Sequence, residues 1–302
     1  MENRSARYVN IHNERIFYSK WDGDPCDGHP PLVLVHGAGG THLHWPPQLR
    51  RLRDANVYAL DLPGHGHSLG QGRDSIAAYG AVILAWAEAL ALPPFVLAGH
   101  SMGGAIALDF ALNHAERLAG LVLVASGARL RVHPDILQGV QDDFPATAKL
   151  LCDWAHGERA SEHSRRQYLR RLLEVNPGVL RGDFLACDAF DVRPRLGEIA
   201  VPTLVIGGSE DRLTPPRFSE YLREHIPNAQ LLLVEGAGHM VMLERPQAVT
   251  EAIADFLQQA GSGSQVSKFQ VEDLKPGTLR AEPFTASSFL RAWFRAGPQG
   301  EA

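Results

Sequence analysis

The sequence predicts an α/β protein with a mostly parallel sheet and helices on both faces. Three observations carry this reading. Short apolar runs bounded by glycine, proline or polar residues alternate with segments of helical periodicity, and such alternation makes helices the crossovers between parallel strands. A glycine-framed serine, Gly99-His100-Ser101-Met102-Gly103-Gly104, lies between one such run and a helical segment. Finally, the stretch between the apolar runs 121–124 and 203–206 is too long for a simple crossover loop, which calls for an inserted substructure.

Residues 8–11 and 15–19 read as an N-terminal hairpin turning around Asn13-Glu14, followed by apolar strands Leu32–Val35 and Val57–Leu60. Residues 75–90 place Ile76, Tyr79, Ile83, Trp86 and Leu90 at helical spacing, with Ser75 as N-cap. A strand at 95–98 leads through the serine segment into an alanine-rich helix over 105–111. Strands at 121–124, 203–206 and 231–234 and a closing helix at 249–257 complete the pattern.

With 302 residues, 45% of them hydrophobic, the chain is long enough for one large core carrying an insertion. A net charge of −5 gives no electrostatic reason to expect nucleic acid or an anionic membrane as partner. The N-terminal residues lack the apolar stretch of a signal peptide, and no run approaches the roughly 18 apolar residues of a membrane span, so a cytoplasmic location is the expectation. Cys26, Cys152 and Cys187 are odd in number and widely spaced, as reduced thiols are. No cofactor is expected. Gly37-Ala38-Gly39 with Asp61 partly mimics a dinucleotide fingerprint, but His42 stands in place of the third glycine and Pro46-Pro47 interrupts the phosphate-binding helix. Nor is a metal: His42 and His44, or His65 and His67, lack acidic or cysteine partners in a ligand pattern.

The serine segment carries the chemistry. A sharp strand-to-helix elbow forces crowded, strained backbone that Gly99 and Gly103 tolerate. Serine is a poor nucleophile unless a histidine takes its proton and a carboxylate fixes that histidine's tautomer. Asp211, in the loop after strand 203–206, and His239, in the loop after strand 231–234, are of the right types, and in a parallel sheet both loops emerge at the edge that holds Ser101. Asp109, Asp61 and Asp191 are read as structural.

The order Ser101, Asp211, His239, each after a strand, resembles the α/β-hydrolase fold family over residues 9–258. His36-Gly37-Ala38-Gly39-Gly40 and Asp61-Leu62-Pro63-Gly64-His65-Gly66-His67-Ser68 match it as well. The resemblance implies an oxyanion hole of the Ala38 and Met102 backbone N–H groups. It also implies a serine hydrolase cleaving a small to medium carboxylic ester, lactone or thioester through an acyl-enzyme. A serine nucleophile argues against the carboxylate-dependent dehalogenase and epoxide-hydrolase branches. C–C bond hydrolysis of a vinylogous diketone, cofactor-free haloperoxidation and a non-catalytic binding role stay open, because the fold hosts many activities.

The expected organisation is a core of residues 1–127 and 201–260, a helical cap over 128–200, and a linker and tail over 261–302. Phe144, Trp154, Tyr168, Phe184 and Phe190 in the cap supply its own small core or the wall of an apolar pocket. No basic cluster stands out to bind a large polyanion, so the expected partner is a small apolar ester-like molecule. Gly261-Ser262-Gly263-Ser264 has linker composition, and a short helix at 286–296 carrying Phe289, Leu290, Trp293 and Phe294 is read as able to dock on this chain, a partner or a lipid surface.

Overall fold

Along the central strands apolar side chains alternate between two faces, and this period of two builds a core on either side of one sheet. Val33, Val35, Leu97, Leu121, Leu123 and Val205 join one layer. Leu32, Leu34, Val96, Ala98, Val122 and Val124 join the other. A computed structural model of the chain describes residues 5–24 and 29–262, within the unit Met1–Lys268; the unit Phe269–Ala302 lies outside the described residues.

The elements run β1 (Ser5–Ile11), β2 (Glu14–Trp21), β3 (Leu32–Val35), α1 (Pro47–Arg50), β4 (Val57–Leu60), α2 (Ile76–Ala89), β5 (Phe95–His100), α3 (Met102–Asn113) and β6 (Leu118–Val124). Then come α4 (Pro134–Asp142), α5 (Phe144–Ala155), α6 (Glu162–Leu173), α7 (Pro177–Ala189), β7 (Thr203–Gly208), α8 (Pro216–His225), β8 (Ala229–Val234), α9 (Val241–Glu244) and α10 (Pro246–Ser262). The sheet order is β1-β2-β4-β3-β5-β6-β7-β8. Only β1–β2 and β2–β4 pair antiparallel; β3 to β8 and β4 are joined by parallel ladders. The chain therefore crosses from β4 on one side of β3 to β5 on the other, and such a switch point opens a crevice at the carboxyl ends of the strands. The loops after β3 and β5 lie there.

Several strands run a few residues beyond the expected runs, and two further differences have a distinct local cause. Ile11 pairs with Glu14, so the hairpin turns on His12-Asn13 and not on Asn13-Glu14; both turn residues have positive φ (46° and 69°), as a two-residue primed turn requires. The last helix is longer than residues 249–257: it starts at Pro246, a residue suited to the first turn, and includes Gly261 and Ser262, which composition assigned to the linker. The tail helix expected at 286–296 lies outside the described residues.

Between β6 and β7 the chain forms α4 to α7. Its two ends meet in an antiparallel bridge of Arg129 with Asp191, reinforced by Val192 N–H donating to the Ala128 carbonyl. Ile136, Val140, Ala148, Leu151, Leu172 and Leu180 form a separate small core among these helices. Phe190 instead joins the main core. No described helix is long and apolar enough to cross a membrane.

Candidate active site

Ser101 joins β5 to α3 with φ 53° and ψ −115°, a strained conformation for a residue with a Cβ. The crowding behind it explains the glycines. A Cβ on Gly99 would run into the Gly103 carbonyl, one on Gly103 into the carbonyls of Val35 and His36, and one on Gly104 into the Ser126 side chain. Two hydrogen bonds fix the turn: Ser101 N–H donates to the Val124 carbonyl (2.9 Å), and Ser126 Oγ donates to the Ser101 carbonyl (2.8 Å). Among the described residues, the Ser101 hydroxyl makes no hydrogen bond.

Asp211 and His239 leave β7 and β8 in neighbouring loops, which the Glu210 N–H joins by donating to the Ala237 carbonyl (2.8 Å). Asp211 is buried and accepts four hydrogen bonds. Leu213 N–H and Thr214 N–H donate to Oδ1 (both 2.8 Å), while Thr214 Oγ1 (2.7 Å) and His239 Nδ1 (2.9 Å) donate to Oδ2. A carboxylate surrounded by donors serves as acceptor throughout, so it holds the proton of His239 on Nδ1 and leaves Nε2 with its lone pair free. Thr214 Oγ1 also lies 3.1 Å from Nδ1 and so steadies both partners. The His100 ring packs against that of His239, and its Nε2–H donates to the His239 carbonyl (3.1 Å). Burial, with His239 next to it, pushes the His100 imidazole well below its ordinary value, so it serves as a neutral prop.

The loop after β3 is held from below and above. Leu62 N–H donates to His36 Nε2 (3.0 Å), which leaves the His36 proton on Nδ1 to bond the Gly37 carbonyl (2.8 Å). From the inserted helices, Asp183 on α7 accepts the Gly39 N–H (2.8 Å). Gly39 sits at φ 60° with Leu180 pressed against it, where a Cβ would clash. Neither the Ala38 nor the Met102 N–H is bonded within the described residues, so both amides remain available donors beside Ser101.

Asp183 gives no signal in the sequence, since a lone aspartate in a helix reads as a surface charge. It is fully buried and also accepts from His65 Nε2 (2.8 Å) and Tyr79 Oη (2.6 Å). His65 Nδ1 faces the Pro63 carbonyl (3.0 Å). Each ring nitrogen of His65 faces an acceptor; burial pulls its affinity for the proton down, but the Asp183 charge and hydrogen bond outweigh it and hold the group above its ordinary value. Asp61 plays the matching structural part, accepting from His42 N–H, His42 Nδ1 and His67 N–H. Asp109 is half-buried on α3, apart from the cavity. Cys152 and Cys187 are free and buried, and burial pushes the Cys152 thiol up to about 11; Cys26 lies outside the described residues.

Ser101, His239 and Ala38 line one cavity of about 710 Å³ roofed by the inserted helices. Trp154, Tyr168 and Phe184 also line it, whereas Phe144 packs in the small core of the insertion. The wall holds one feature that the sequence does not display: Arg129, Arg131, Arg193, Arg212 and Arg217 all reach it. They come from three separate segments, so no local run of charge announces them.

The family model for the alpha/beta hydrolase family matches residues 32–252. A pimeloyl-[acyl-carrier protein] methyl ester esterase of Yersinia enterocolitica is 30% identical over 257 residues, covering 80% of this chain and 96% of that protein. Among solved structures, a thermophilic esterase is 32% identical, with a TM-score of 0.76, covering 85% of this chain and 98% of that one. The enol-lactonase of Burkholderia xenovorans LB400 is 25% identical, with a TM-score of 0.77, covering 83% and 100%.

Proposed function

The chain belongs to the alpha/beta hydrolase family, and from that membership and the site geometry we propose a serine hydrolase of small to medium carboxylic esters. The observation that carries this is His239, held by Asp211, lining the same cavity as the strained Ser101. Relatives named as esterases support the reaction class.

In this reading Ser101 Oγ attacks the ester carbonyl and passes its proton to His239 Nε2. The imidazolium that forms is stabilised by Asp211, whose donors Leu213, Thr214 N–H and Thr214 Oγ1 keep the carboxylate aimed at Nδ1. Negative charge on the former carbonyl oxygen meets the Ala38 and Met102 N–H groups, each such preorganised donor typically contributing about a hundredfold to a thousandfold in rate. Collapse of the tetrahedral intermediate expels the alcohol, which takes the proton back from Nε2. Water, deprotonated by His239, then releases the acid and restores Ser101.

A fluorophosphonate probe should label Ser101, as located by mass spectrometry. Ser101→Ala should lose both labelling and hydrolysis of an activated ester while keeping the wild-type melting profile. Wild-type protein that stays unlabelled beside an active esterase control overturns the assignment.

A further inference from the structure

The arginines around the cavity are more than a solvated surface. Nothing in the formal charge of −5 favours a basic opening, yet among the described residues five arginines and no Asp or Glu line the cavity that holds Ser101. Two carboxylates just outside the lining answer three of them. Arg193 Nη2 lies 2.6 Å and Arg129 Nε 3.7 Å from Asp191 Oδ2, and Arg131 Nε lies 3.4 Å from Asp188 Oδ1. Arg193 holds the Asp191 carboxyl down to about 2, so this acid stays charged and committed to its partners.

Arg212 and Arg217 have no carboxylate partner among the described residues. Arg212 directly follows Asp211. Arg217 is in the first turn of α8, and its guanidinium lies 5.3 Å from the centroid of the Phe218 ring, another lining residue. A guanidinium held near an aromatic ring in this way keeps N–H donors available, which suits a carboxylate or phosphate. The N-cap of α8 is Pro215, with no side-chain cap, so the positive end of the helix adds to the field there. All but Arg129 of the five are exposed, whereas Ile136, Leu151, Leu172 and Leu180 of the same lining are buried. The cavity thus has an apolar interior and a basic rim.

We propose that this rim is an anion subsite: the substrate carries, away from its scissile ester, a carboxylate or phosphate group bound by Arg212 and Arg217. This rests on the ester-hydrolase reading for the reaction, while the binding itself can be measured without turnover. An apolar linker in the interior and an oxyacid at the rim together make the ligand class a half-ester of a dicarboxylic acid or an ester bearing a phosphate monoester.

Calorimetry with glutarate, butyl phosphate and neutral glutaramide reads the subsite directly. At least one anion should bind about tenfold more tightly than glutaramide, and about 0.5 M NaCl should suppress the difference. Which anion wins separates the carboxylate source from the phosphate source. The Arg212→Ala/Arg217→Ala double variant should lose the preference, while Arg166→Ala, an exposed arginine of α6 outside the cavity lining, should keep it. In turnover, kcat/KM for mono-p-nitrophenyl glutarate should exceed that for p-nitrophenyl butyrate by about fivefold, and the ratio should fall to about one in the double variant. Equal binding of anion and neutral amide, or a preference that survives the double substitution, overturns the subsite. If neither ester is turned over, the reaction assignment fails, and calorimetry still decides the rim.

Discussion

The interest of Asp211 lies in how many donors it satisfies at once. A carboxylate accepting from two backbone amides, a hydroxyl and an imidazole is fixed in position, so His239 is held in a single tautomer. Asparagine would put an NH₂ donor into this ring of donors and favour the wrong imidazole tautomer. Asp211→Asn is therefore expected to lower kcat by about four orders of magnitude, measured on p-nitrophenyl butyrate. Asp109→Asn on α3 should leave kcat within about twofold, since that side chain lies outside the cavity. Small and equal effects from both would remove Asp211 from the reaction. Thr214, which touches both Asp211 and His239, was invisible as a functional residue. Its spacing, three residues past the aspartate, is nonetheless that of a side-chain-capped turn, which is the signal that could have found it.

Among the elements, α7 has a part that its sequence hides. Its Asp183 reaches through the insertion to Gly39, His65 and Tyr79, so one buried carboxylate ties the roof to the loop that presents Ala38. Removing one member of a buried ion pair typically costs about 3 kcal/mol or more, because the remaining charge loses its partner. Asp183→Asn should lower the melting temperature by on the order of 8 °C and kcat by about tenfold. The pH dependence has a definite sign. His65 binds its proton more tightly folded than unfolded, so the pair's contribution is complete below the unfolded value of about 6.5 and disappears as pH rises through the raised folded value. The stability gap between wild type and Asp183→Asn should accordingly be widest near pH 6 and narrow toward pH 9, as followed by thermal melts. A gap that widens with pH would show that His65 is neutral in the fold.

For the molecule as a whole, the eight-stranded sheet, its two cores and the cavity lining named above are built from described residues that end at Ser262. Truncation after Ser262 is expected to keep most of the activity on a small ester and to hold the melting temperature within a few degrees, about 1 kcal/mol in stability. Loss of expression or activity would give residues 263–302 a part in the core or the pocket. The apolar interior of the cavity sets a size limit. Each buried CH₂ contributes about 0.8 kcal/mol until the chain no longer fits, so kcat/KM should rise from p-nitrophenyl acetate to a short or medium ester and fall by palmitate. A rate that climbs to palmitate and jumps when substrate forms droplets would mean that the roof opens at an interface.

Local chemistry is what a sequence displays, and local chemistry was enough for the strands and the elbow. The apolar runs at Leu32–Val35 and Val57–Leu60 are strands over those same residues because continuous apolarity is what burial on both faces of a parallel sheet demands. Gly99, Ser101 and Gly103 stand out because a strand-to-helix turn leaves a short, legible pattern, and the loops of Asp211 and His239 follow their strands as a parallel topology requires. Boundaries were less legible. The hairpin turns one residue early because positive φ at His12 and Asn13, and not composition, sets the register, and the last helix runs on past Leu257 because Ala260 still packs against the core. Charges and their partners were not legible at all. Asp183 and His65 are far apart in the chain, and the five arginines of the rim come from segments after β6, before β7 and around the start of α8. Their meaning depends on which distant groups the fold brings within a few ångströms, and electrostatic interactions in a desolvated or half-desolvated setting are governed by that distance and not by sequence neighbours.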